Sequence, residues 1–217
     1  MTTRDEFLDA AMGHAVFDGW SQATIEATAA DLGIGAEGAK RLFPRGAVGL
    51  ASAYHRRGDA QMVERLRAAD LGGMRFRDRT AHAVRLRLEL ADKELVRRGM
   101  ALFALPQNAA TGARLIWETS DEIWTALGDT SKDYNWYTKR TTLAGVYSST
   151  ALYWLGDQSA ENADTWAFLD RRIENVMQFE KVKAQVTKNP LVDAMLKGPG
   201  AVLDIVRAPR HSRGDAR

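Results

Sequence analysis

The 217-residue chain is 45% hydrophobic and 27% charged, which excludes disorder over most of its length and fits one compact domain or a small head on a larger body. It has no cysteine, so disulfide scaffolds, thiolate zinc sites, iron–sulfur clusters and cysteine nucleophiles are excluded, and a reducing compartment fits. Net charge is +2, but residues 181–217 hold eight Lys or Arg against Asp193, Asp204 and Asp215; this basic tail suits an acidic surface, whereas the body does not.

The opening MTTRDEFLDA is polar and quickly periodic, unlike a secretory signal or an Arg-rich transit peptide. The first apolar stripe, Phe7, Leu8, Ala11, Met12 and Ala15, stops before Gly19. Ile25, Ala29 and Leu32 form a second short helix, with Ser21 or Thr24 as its cap and Gly33 at its end. A third runs from Ala36 to Phe43 and is stopped by Pro44.

A long helix is predicted from about Ala47 to Ala69, before Leu71-Gly72-Gly73. Val84, Leu88, Ala91 and Leu95 make the stripe of the next, with Gly99 as an interruption. Leu105 to Asn108 read as a turn before a helix carrying Ile116, Ile123 and Leu127. Another helix is predicted from about Tyr134 to Leu155, and Trp166, Leu169, Ile173 and Val176 follow at steps of three and four. The most apolar window, Leu143 to Leu155, is broken by Ser148, Ser149 and Thr150 and is shorter than the roughly 20 residues of a membrane span. The expected class is all-α, in three parts: a head over 1–46, a body over 47–184 and a basic amphipathic tail over 185–217.

His14, His55, His82 and His211 show no metal-ligand spacing, and no Glu-x-x-His pair, phosphate loop or GxSxG is present. Asp121 and Glu122 read as a solvated acidic pair, and His14 as a hydrogen-bonded, half-buried residue. No catalytic residue, metal or cofactor is expected.

The segment TIEATAADLGIGAEGAKRLFP resembles the amino-terminal half of the TetR-type repressors. The helix placed to read DNA would expose Gly35, Glu37, Gly38, Ala39, Lys40 and Arg41, a poor reading surface. Residues 1–69 also carry no excess of basic over acidic side chains, where a DNA-binding head should be clearly basic. No nucleic acid is therefore expected as a partner, although a ligand-responsive transcriptional regulator is the alternative reading.

Five of the six tryptophans lie between Trp117 and Trp166. Trp136 and Tyr137, beside Lys139 and Arg140, read as an exposed contact patch, extended by Ile123 and Trp124. The small residues Ala144, Gly145, Ser148, Ser149 and Ala151 leave room between helices for an apolar ligand. Burial of such a ligand contributes about 0.8 kcal/mol per methylene, nearly what a bilayer offers, so exchange with a membrane is near balance.

In the tail, Val192, Met195, Leu196, Val202, Leu203 and Val206 share one face. Lys188, Arg207, Arg210 and Arg213 flank it, each contributing about 1 kcal/mol near an anionic leaflet. Gly198-Pro199-Gly200 kinks that helix.

The run DYNWYTKRTTLAGVYSSTALYWLGD, followed by DTWAFLDRRIENVM, is similar to the signature of the Coq-nine proteins, accessory proteins of ubiquinone biosynthesis; ALFALPQN and TSDEIWTALGD also match. The resemblance implies a non-enzymatic, homodimeric protein of TetR-like fold that binds isoprenoid lipids or quinone intermediates, here through Leu143, Tyr147, Thr150, Ala151 and Trp154. It implies presentation of them to the demethoxyubiquinone hydroxylase through Trp136, Tyr137, Asp121, Ile123 and Arg140, and an amphipathic tail on an anionic membrane surface. The short amino terminus points to a bacterial, cytoplasmic protein peripheral on the inner face of the inner membrane.

Overall fold

The computed structural model describes residues 2–132 and 134–187, with the side chains of the last helix described through Val176. Each early helix has a local reason to start. Thr3 and Glu6 form a reciprocal capping box for α1 (Arg4–Asp18), which ends at Gly19 in the left-handed region. The Ser21 hydroxyl caps α2 (Gln22–Asp31) by accepting the Thr24 N–H, and Gly33 at φ +63° turns the chain into α3 (Gly35–Leu42).

There follow α4 (Gly46–Ala68), α5 (Phe76–Glu89), α6 (Lys93–Ala104), α7 (Pro106–Ala126), α8 (Tyr134–Gly156) and α9 (Ala163–Thr187). No strand occurs among the described residues, and the class is all-α as expected. Two boundaries differ from the sequence reading. The stripe Val84–Leu88–Ala91–Leu95 belongs to two helices, because Asp92 caps α6 by accepting the Leu95 N–H; Gly99 lies inside α6 without interrupting it. Leu105 to Asn108 is no separate turn: Pro106, whose missing N–H costs nothing at a helix start, begins α7.

Two cores form. Phe7, Leu8, Ile25 and Phe43 of the head close over Leu50 and Ala51 of α4 and Leu95 of α6, so the head's apolar interior continues past residue 46. The body core joins Met62, Val84, Leu88, Ile123, Leu143, Val146, Trp154, Leu169 and Ile173. Helix α4 runs through both and is the beam between them. Helix α7 packs on α4, α6 and α8, and α8 packs in turn on α9, which places α7 and α8 beside the two apolar cavities of the body. The tail residues Val192, Met195, Leu196, Val202, Leu203 and Val206 lie outside the described residues.

Candidate functional site

Small side chains open the body along one line. Gly99 and Ala104 on α6, Ala109, Gly112 and Ala113 on α7, and Ala51 on α4 face a cavity of about 370 Å³ walled by Val96, Met100, Phe103 and Ile116. That volume falls in the ordinary range of small-molecule sites, and the lining is overwhelmingly apolar. Exposed Ala104, Ala109 and Ala113 mark its mouth, and buried Ala51, Leu115 and Tyr147 mark its inner end. Gly112 is required there, since a Cβ would stand 2.8 Å from Cβ of Phe103.

The inner end is polar. Arg87 Nε donates to Asp59 Oδ1 at 2.6 Å and Arg87 Nη2 to the His55 carbonyl at 2.9 Å. Asp59 also accepts the Thr119 hydroxyl at 3.0 Å, and His55 Nε2 lies 2.8 Å from the same hydroxyl. Burial pushes the His55 imidazole down to about 3, with the Arg87 charge adding to the shift, so it is neutral at pH 7. Burial raises Tyr147, partly offset by Arg87, so the phenol stays protonated.

The five residues expected to bind lipid fall in different places. Tyr147 and Ala151 line this cavity. Leu143 borders a second, smaller apolar cavity of about 260 Å³ with Phe76, Trp124, Thr142 and Ile173. Thr150 is buried with its hydroxyl returned to the Val146 carbonyl, and Trp154 is core, with the Lys93 ammonium 5.3 Å from its ring centroid; neither lines either of these two cavities. Of the small residues on α8, Ser148 joins Ala151 at the main cavity, whereas Gly145 and Ser149 border an open groove beside Arg172. The space is thus made mainly by α6 and α7. His55, Arg87 and Gly112 were the residues that sequence reasoning missed there.

The aromatic patch is also placed differently. Ile123 is 0% exposed, Trp136 7% and Arg140 2%, which corrects their assignment to an open contact surface. Arg140 is clamped: Nε donates to Asp121, Nη1 to Asp129 at 3.0 Å and to the Trp136 carbonyl at 3.2 Å, with its guanidinium carbon 4.0 Å from the Trp136 ring centroid. Burial works against the Asp129 carboxylate, but hydrogen bonds from Lys139, Ser131 and Arg140 hold it at about 2. Together these bonds fix the corner between α7 and α8.

What remains accessible is a partly exposed Tyr137, ring to ring with Trp136 at 4.8 Å and with Trp117 at 6.4 Å, flanked by a partly exposed Asp121 and an exposed Tyr134. Trp117, Asp121 and Trp124 are spaced four and three apart on one face of α7, a signal that would have selected Trp117 over the inward-facing Ile123. In the head, His14 is half-buried and bonded to Asp31 at 2.6 Å, as expected. Glu37, Lys40 and Arg41 are exposed, but Gly38 and Ala39 are buried, which corrects their place among side chains open to DNA.

Residues 109–180, which contain the whole of this α7–α8 corner, match the family model described as COQ9. The chain is COQ9-like. A relative from Drosophila melanogaster, "Ubiquinone biosynthesis protein COQ9, mitochondrial", is 35% identical over 188 residues, covering 84% of this chain and 57% of that protein. The proteins of that name from Rattus norvegicus and Homo sapiens are 38% and 34% identical over 120 residues, covering 54% of this chain and 38% of each protein. The chain therefore spans from just over a third to just over half the length of these COQ9 relatives. A solved "TetR transcriptional regulator from Nitrosomonas europaea ATCC 19718" superimposes with a TM-score of 0.65 at 20% identity, over 79% of this chain and 95% of that one. The fold is TetR-like, and the COQ9 family model matches within its body.

Proposed function

We propose that this COQ9-like chain serves ubiquinone biosynthesis as a non-enzymatic accessory protein. It binds isoprenoid quinone intermediates and presents them to the demethoxyubiquinone hydroxylase at a membrane. The observation that carries this reading is the apolar cavity with its mouth between α6 and α7, directly beside the segment that matches COQ9. Its walls offer a hydrocarbon chain about the free energy that a bilayer offers, which suits exchange in preference to storage.

The remaining parts follow from the same reading. The hydroxylase docks at the corner where Tyr137 and Asp121 stay accessible over a rigid base of Trp136 and Arg140. A second copy covers the outer face of α8 and α9, where Leu152 is 61% and Tyr153 40% exposed and Tyr153 stacks on Phe168. No described helix is long and apolar enough to cross a membrane, and the tail residues from Val192 to Val206 supply the contact with an anionic surface. On this reading the protein works peripherally at a membrane surface.

The test is the lipid content of protein purified from a quinone-making host. Isoprenoid quinones or their precursors, near one per chain and enriched over the host's phospholipids, are expected in the extract. Repeatedly empty protein would overturn the reading. A regulator reading draws on the fold alone; sequence-specific, salt-sensitive binding of promoter DNA would favour it.

A further inference from the structure

The inner end of the main cavity holds a closed ion pair and a tyrosine hydroxyl that, among the described residues, neither gives nor accepts a hydrogen bond. Arg87 and Asp59 pair at 2.6 Å, the Thr119 hydroxyl donates to the same carboxylate oxygen, and His55 is uncharged. The Tyr54 hydroxyl is held in place by accepting the Asp92 N–H at 3.0 Å, with its own proton still to give. Tyr147 is different: it is 6% exposed, lines the cavity, and its hydroxyl makes no hydrogen bond among the described residues. That hydroxyl opens on the cavity, so a ligand that brings an oxygen there gains a hydrogen bond that a hydrocarbon does not.

We infer that the cavity takes its ligand head-inward, and that Tyr147 donates its hydroxyl proton to a neutral carbonyl or ether oxygen on a ring at the inner end, while the apolar chain leaves through the mouth at Ala104, Ala109 and Ala113. This rests on the reading of the cavity as a lipid site and adds the chemistry of its head group. Neutrality follows from the closed Arg87–Asp59 pair: an anionic head would meet no free cation there and would face the Asp59 carboxylate. Size agrees as well. A cavity of about 370 Å³ lies in the range of small-molecule sites, large enough for a substituted ring.

The test uses the purified full chain and three probes of equal chain length: a prenylated 1,4-benzoquinone, the matching hydrocarbon and the matching carboxylate. Affinity is read by quenching or shift of tryptophan fluorescence, since Trp20 lines the cavity. The quinone should bind best, with the carboxylate at least tenfold weaker. Tyr147→Phe should weaken the quinone about three- to tenfold, as for loss of one hydrogen bond, and leave the hydrocarbon within twofold. Independently of affinity, the infrared band of a ¹³C-labelled carbonyl should lie lower in the wild-type complex than in the variant complex.

An unchanged band together with unchanged quinone affinity in Tyr147→Phe would overturn the head-inward orientation while leaving the lipid site standing, provided the hydrocarbon binds. Tighter binding of the carboxylate would overturn the neutral head group. Failure of all three probes to bind would overturn the lipid site itself.

Discussion

Gly58 gives up its side chain to Arg87: a Cβ at position 58 would stand 2.7 Å from the guanidinium carbon of Arg87. The contact lets a charged side chain lie flat against α4 and reach Asp59 one residue on, at the inner end of the cavity. In an exposed helix interior, Gly→Ala stabilises by roughly 0.5–1 kcal/mol. Here the sign should reverse, because the methyl group would push Arg87 off Asp59 and leave a buried charge poorly paired. Gly58→Ala should destabilise by about 2–4 kcal/mol in urea unfolding, and a stabilised variant would contradict the close approach.

His55 links that cluster to pH. Its folded value of about 3 lies below the unfolded 6.5, so the unfolded chain takes up a proton that the native state refuses. Stability from this group is present above pH 6.5 and is lost as pH falls toward 3, at up to about 1.4 kcal/mol per pH unit. Between pH 6.5 and 5 the depressed carboxylates Asp129 and Asp157 contribute little, since unfolded Asp titrates near 3.9. Urea unfolding across that window should show the slope in the wild type and not in His55→Gln; equal slopes would contradict the assignment.

Trp136 and Tyr137 are neighbours with opposite expectations. Trp136→Ala removes a buried ring from beneath Arg140 and should cost about 3–5 kcal/mol of stability. Tyr137→Ala, at a partly exposed position, should cost less than about 1.5 kcal/mol and instead weaken capture of the hydroxylase at least tenfold. Thermal melts and a binding isotherm separate the two, and a Trp136→Ala protein of wild-type stability would show the ring to be dispensable to the fold.

Leu152 tests the proposed dimer. At 61% exposure its replacement by Glu should leave the melting temperature of the single chain nearly unchanged while placing a charge in the interface. Sedimentation should show a dimer for the wild type and a monomer for Leu152→Glu. A dimer that survives the substitution would place the interface elsewhere.

The sequence was most informative where one residue decides a local event. Ser21 as a cap and Gly19 and Gly33 as stops act at the positions where they were read. Helix boundaries were less legible where a tertiary role overrides a pattern: the stripe through Ala91 is continuous in spacing but is cut by the Asp92 cap. The site was least legible. A small residue looks alike whether it opens a cavity, as Gly112 does, or borders an outer groove, as Gly145 does, because the difference lies in the neighbouring helix. Arg87 and Asp59 are 28 residues apart, and nothing in either neighbourhood marks them as a buried pair. Tyr147 was singled out for its aromatic ring; its unbonded hydroxyl is visible only in three dimensions.

The central claim, that the cavity of about 370 Å³ is where the chain carries an isoprenoid lipid, is tested most directly by native mass spectrometry of wild-type protein beside Ala51→Leu, both from one quinone-making host. Ala51 lies on the cavity wall deep in the body, so Leu there fills ligand space without touching the mouth or the Tyr137 corner. The account predicts an isoprenoid adduct on the wild type that is reduced at least tenfold on the folded variant. An equal adduct on both proteins would put the lipid elsewhere and contradict the claim.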